Sequence, residues 1–125
     1  MIPAHSITTS TGTQHVQIRL QGVVVADTQS PLLLDETGLP TRYYISRSDV
    51  RMDLLAVAPL HTTCPYKGDA TYWSADLGNG IGPDTVDIAW SYEEPISEVA
   101  EIKSMLCFYP DRVETIIDGQ PLAGH

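Results

Sequence analysis

Within eleven residues, from Thr63 to Trp73, the chain reads TCPYKGDATYW. A thiol, a phenol, an amine and a carboxylate stand together there, and two more aromatics follow. Cys64 acts as a nucleophile only if its pKa is lowered by a cation, a helix N-terminus or a histidine. Lys67 offers the cation and His61 a base. Cys64 precedes Pro65, however, which favours an extended backbone and points Cys64 and His61 in different directions. The competing reading is a small buried thiol packed under a turn. Lys67 is one of two lysines in an acidic chain. Beside Gly68 it is placed to hold a carboxylate or phosphate, or to form a Schiff base if desolvated. An ion pair with Asp69 or Glu36 is its plainer role. Asp69 caps the turn, or serves as a general base with Tyr66 or Lys67.

The aromatics suggest a second kind of chemistry. Six Tyr and two Trp accompany a single Phe, so the large rings carry polar tips. Such rings suit a pocket that is apolar at one end and wet at the other. Alternation along a strand puts Tyr72 and Trp73 on opposite faces and Trp90 and Tyr92 on the same face. Arg51, between Asp49 and Asp53, either fixes its turn by an ion pair or recognises an anion with its planar guanidinium. The four histidines, His5, His15, His61 and His125, lack metal-ligand spacing, so no metal is expected.

The elements that position these residues are short and mostly extended. Residues 1–14 are rich in Thr and Ser without periodicity, as in a mobile tail. HVQIRL and VVVADT, separated by Gln21-Gly22, read as a β-hairpin. LLL at 32–34 and RYYI at 42–45 are strand-like. Ser48 is placed to cap a single helical turn through Met52. A strand over 54–58 ends at Pro59, and Lys67-Gly68-Asp69 turns into ATYWSADL, another strand. GNGIGPD is a loop, and VDIAW alternates as a strand. Ser97 is a plausible cap for one helix, with Glu98 and Glu101 suiting its dipole. MLCFY and residues 113–117 complete the strands, with a tight turn at Tyr109-Pro110-Asp111. The tally predicts a mainly β class in one small domain over residues 15–120, with a short tail at 121–125.

Composition narrows the partners. At 125 residues, 42% hydrophobic and 18% charged, the chain can bury a core of its own. A net charge of −9 repels phosphate backbones and anionic membranes, so neither nucleic acid nor membrane is expected. Cys64 and Cys107 are the only cysteines, too few for a disulfide framework, and no CxxC pair offers a zinc site. With no apolar run of membrane length and no signal-peptide pattern, a cytoplasmic monomer or homodimer is expected.

Four blocks carry a resemblance: LLLDETGLPTRYYISRSDVRMDLL, TTCPYKGDATYWS, IAWSYEEP and MLCFYPDRVE. In order and spacing they resemble domain-of-unknown-function family 427, which also carries a nucleotidyltransferase-like label. The likeness spans about residues 15–118. It implies a small, mainly β domain of two antiparallel sheets meeting at an angle, a β-tent-like arrangement, with one short helix in the C-terminal half. Tent-like domains often hold zinc through CxxC knuckles, which this chain lacks. No Gly-Ser motif followed by paired metal-binding acids supports the transferase label. The family implies no established activity and no cofactor.

Three functions fit these readings. The first is binding of a small molecule in an aromatic pocket walled by Tyr44, Tyr66, Trp73, Trp90 and Tyr92, with Lys67 and Arg51 as polar contacts. The second is an enzyme using Cys64 or Lys67, with Asp69 or His61 moving protons. The third is a module that binds a peptide or protein, for which an aromatic cage and an acidic surface would be the basis.

Overall fold

The computed structural model describes residues 5–122. Eleven strands form three antiparallel sheets. The central sheet contains β6 (Leu55–Cys64), β7 (Gly68–Ala75), β8 (Ala89–Ser91) and β9 (Leu106–Phe108), in that order. A second sheet has the order β11 (Gln120–Pro121), β10 (Glu114–Ile117), β2 (Val16–Leu20) and β3 (Val23–Thr28). A third has β1 (Ile7–Thr11), β4 (Leu32–Glu36) and β5 (Arg42–Tyr44). A single bridge between Ile45 and Leu106, of two backbone bonds at 2.7 and 2.9 Å, joins the third sheet to β9.

Alternation along the central strands divides the interior in two. Trp73, Ala75, Ala89, Leu106 and Phe108 pack with Val16, Ile18, Leu20 and Val25 of the second sheet. Ala70, Trp90, Tyr92 and Cys107 point the other way, toward Leu34 and Tyr44 of the third sheet and Val99 and Ile102. Each class needs only the period-2 rule of a strand buried on both faces.

The mainly β class and single small domain are as expected, but there are three sheets rather than two. The extra sheet depends on β1, within the segment expected to be a tail. All five residues of β1 pair with β4, from Ile7 with Glu36 to Thr11 with Leu32. ITTST is β-branched throughout except for one Ser, and an open edge of the LLL strand was available to it. At the other end, Gln120–Pro121 pair with β10 as β11, so the expected tail begins in a strand; residues 123–125, with His125, lie outside the described residues.

Among the described residues the helices are all 3-10 turns. Ser97–Ile102 is interrupted at Val99, whose φ is −128°. Six residues with two β-branched members cannot nucleate an α-helix. Ser97 bonds Glu98 instead of capping, and the cap position falls on Ile96. Ser48 lies inside the turn Arg47–Asp49 instead of capping it. Strand β6 does not stop at Pro59. It runs to Cys64 with a register shift between Val57 and His61. As the outermost strand it tolerates proline, whose missing N–H costs no ladder bond there. The strand expected from Val86 starts only at Ala89, because Asp87 turns the chain with a φ of 48°. Among the described residues no helix is long and apolar enough to cross a membrane.

Candidate functional site

The turn that begins TCPYKGDATYW is built by two features. Lys67 N–H donates to the Cys64 carbonyl at 3.2 Å, closing the reversal between β6 and β7. Gly68 then takes a φ of +117°, and a Cβ there would stand 3.2 Å from the Glu94 carbonyl oxygen. Glycine is favoured by the dihedral, and a Cβ would also crowd the Glu94 carbonyl. The register behind it pairs Cys64 with Gly68, Thr63 with Asp69, Thr62 with Ala70 and His61 with Thr71.

That register sorts the reactive groups by face. Thr62, Cys64, Ala70 and Tyr72 share the face toward the third sheet. His61, Thr63 and Asp69 share the opposite one. Thr62 and Tyr72 exchange a hydroxyl hydrogen bond of 2.8 Å, and Thr63 donates to Asp69 at 2.8 Å. Asp69 and His61 therefore lie across the sheet from Cys64. Cys64 is half-buried and both cysteines are free thiols. Burial pushes the Cys107 thiol up to about 12.

Lys67 leaves the turn for the third sheet. Its Nζ donates to Glu36 Oε1 at 2.5 Å, with 12% of the lysine side chain and 8% of the glutamate side chain exposed. The other Glu36 oxygen meets His5 Nε2 at 2.9 Å. Burial raises the Glu36 pKa, but hydrogen bonds and charge from Lys67 and His5 outweigh it and leave the group below its usual range. Of the two plain ion pairs open to Lys67, this is the one with Glu36, and it is mostly buried. Tyr66, exposed at the turn, stacks its ring on His5 with centroids 3.8 Å apart.

Beside this ion pair opens a cleft of about 180 Å3, lined by Glu36, Leu39, Pro40, Arg42, Tyr44, Lys67, Tyr72, Trp90, Tyr92 and Tyr109. Its wall is a row across the central sheet, since Tyr72 pairs with Trp90 and Trp90 with Cys107. Trp90 Nε1 donates to the Tyr44 hydroxyl at 3.1 Å, and the two rings meet edge to face. Tyr109 packs on Trp90 with centroids 4.5 Å apart. It lies parallel to Tyr72, with centroids 6.4 Å apart. The Arg42 guanidinium sits over the Trp90 ring, 5.4 Å from its centroid. Burial raises the phenol pKa values of Tyr44, Tyr92 and Tyr109, so these hydroxyls stay protonated.

The cleft gathers Tyr44, Lys67, Trp90 and Tyr92 among the residues singled out from sequence. Tyr66, Trp73 and Arg51 are elsewhere, Tyr66 on the His5 ring. Trp73 belongs to the opposite core and donates to Ser91 Oγ at 2.9 Å. Arg51 makes an exposed two-bond pair with Asp53, at 2.9 and 2.8 Å. Arg42 is not among the residues singled out from sequence, Tyr109 enters there only as the start of a turn, and Tyr72 only as half of a pair. For Arg42 a signal existed: in RYYI it shares a strand face with Tyr44. The same holds for Glu36, which follows Leu32 and Leu34 on the inward side. Tyr109 does sit at the start of the expected turn, with Arg112 N–H donating to its carbonyl at 2.9 Å. Its ring nonetheless continues the face of Cys107.

A wider depression of about 660 Å3 lies at the hairpin Arg19–Gly22 and the Arg112 turn. Its two arginines are already occupied. Arg19 stands 4.0 Å from Glu114, and Arg112 donates to the carbonyls of Pro83 and Val86. The smaller cleft, where aromatic faces converge, is the better candidate. Among the described residues no three His, Cys, Asp or Glu side chains gather as a metal site would require.

The sequence matches the family model "Domain of unknown function (DUF427)" over residues 8–119, nearly the whole chain, and the chain belongs to that family. The match takes in most of β1, beyond the span the sequence blocks suggested. No curated protein matches it.

Proposed function

We propose that this DUF427 domain is a binding domain that takes a small molecule into the cleft between β5, β7 and β8. The observation that carries this reading is the convergence of Tyr44, Tyr72, Trp90, Tyr92 and Tyr109 on one open concavity. A core alone would gain more from Phe and Leu, whose burial leaves no hydroxyl to satisfy. At about 180 Å3 the cleft is smaller than the ~300 Å3 at which drug-sized pockets begin, so the fitting ligand is small. Lys67, bound to Glu36, serves in this reading as a fixed wall. Arg51 plays no part.

Catalysis by Cys64 or Lys67 has weaker support. Asp69 and His61 share the other face of the sheet, and the Lys67 ammonium is held by a carboxylate. A peptide reader would use the same aromatic cleft, but no observation favours a peptide over a small molecule.

The test is a thermal-shift screen of the 125-residue chain against small aromatic and heteroaromatic compounds. A ligand at 100 times its Kd adds about 2.7 kcal/mol, read as a rise of several degrees. Hits are expected to vanish in Tyr72→Ala and Tyr109→Ala proteins that melt cooperatively. Hits that persist in both variants would move the site elsewhere and contradict the reading.

A further inference from the structure

The chain has five arginines, and four have their charges engaged. Arg19 bonds Gln17 and lies near Glu114. Arg47 bonds Glu93 and the Ser104 carbonyl. Arg51 is paired with Asp53, and Arg112 holds two backbone carbonyls. Arg42 differs. Among the described residues its guanidinium makes no hydrogen bond and no ion pair, and it lies over the face of Trp90.

That contact leaves its donors free. A guanidinium lying over an aromatic face is attracted by the ring without spending a hydrogen bond on an acceptor, so its five N–H donors remain available. Arg42 is half-buried at the cleft wall. In a chain of net charge −9 with sixteen carboxylates, an arginine held by a ring and left without a carboxylate is an unused anion receptor. The other ionic groups of the cleft, Glu36 and Lys67, largely cancel each other. The parallel Tyr72 and Tyr109 rings and the Trp90 edge offer flat apolar surface within the same cleft.

We infer that the ligand is a small planar anion: a flat ring against Tyr72, Trp90 and Tyr109, with a carboxylate or similar oxyanion hydrogen-bonded to Arg42. The inference rests on the cleft being a ligand site, and it adds the chemical class. Arginine suits this task because its fork matches two carboxylate oxygens at once. A quaternary ammonium, the usual guest of an aromatic cage, is excluded by the same charge.

Isothermal titration calorimetry on the full chain tests this with matched probes: benzoate, benzamide, acetate and benzyltrimethylammonium. Benzoate is expected to bind about tenfold or more tightly than benzamide, in keeping with a hydrogen bond to a charged group. Acetate, lacking the ring, is expected to bind more weakly than benzoate. Arg42→Gln is expected to weaken benzoate about tenfold or more, and benzamide by less, so that the two converge. Equal binding of benzoate and benzamide, or preference for the ammonium, overturns the anion class while leaving the cleft as a binding site. Binding of none of the ring-bearing probes overturns both. If Arg42→Gln does not fold, the wild-type comparison of benzoate with benzamide still decides, and benzoate affinity must also fall as salt rises.

Discussion

Glu36 accepts Lys67 on one oxygen and His5 on the other, with 8% of its side chain exposed. A buried pair of this kind contributes little against an apolar replacement, but breaking it leaves an uncompensated charge. Lys67→Met is therefore expected to cost about 3 kcal/mol at pH 6, and Lys67→Met with Glu36→Leu to recover most of it. The pH dependence has a definite sign. Because the folded Glu36 pKa lies below its ordinary 4.5, its contribution is present above that value. It is lost as pH falls through the lower folded value, where the native state takes up the proton. Urea midpoints at pH 6 and pH 3.5 check both points. The deficit of Lys67→Met should shrink at the lower pH. A constant deficit would mean that Lys67 acts through packing of its alkyl chain alone. The possibility of this pair was readable from sequence. Its burial was not, since it depends on β4 and the Lys67 turn meeting from different sheets.

At the scale of elements, alternation was the reliable signal. It placed Tyr72 and Trp73 on opposite faces and Trp90 with Tyr92, and each assignment holds. The same alternation puts Arg42 on one face with Tyr44 and Glu36 on one face with Leu34. What local pattern could not supply was pairing at a distance. β1 has weak periodicity, and only the open edge of β4, some twenty residues away in the chain, makes it a strand. Pro59 misled for the complementary reason: whether proline ends a strand depends on whether that strand is at an edge. Trp73 faces the second sheet rather than the cleft, because which sheet covers each face of β7 is set by packing at a distance and not by the motif. The β1 correction has a consequence. Deleting residues 1–11 should lower the melting temperature by several degrees, since it exposes the edge of β4 and removes His5 from Glu36. An unchanged melting temperature would return this segment to the status of a tail.

The described molecule has a central sheet whose strands β7 to β9 are covered on both faces, by the second sheet on one side and the third on the other, while the edge strand β6 is largely exposed. One interior is aliphatic with Trp73 and Phe108. The other is rich in Tyr and Trp and opens to the cleft. The difference between the two is the physical basis for reading one as core and the other as a site. It also provides an internal control, because the two tryptophans are divided between them. The most direct measurement is a titration of the 15N-labelled chain with a small aromatic carboxylate, following the two indole N–H signals by NMR. The Trp90 signal, from the N–H bonded to Tyr44, should shift progressively and saturate, while the Trp73 signal, from the N–H bonded to Ser91, stays in place. Movement of neither signal, or of Trp73 alone, would contradict a ligand site in the aromatic cleft.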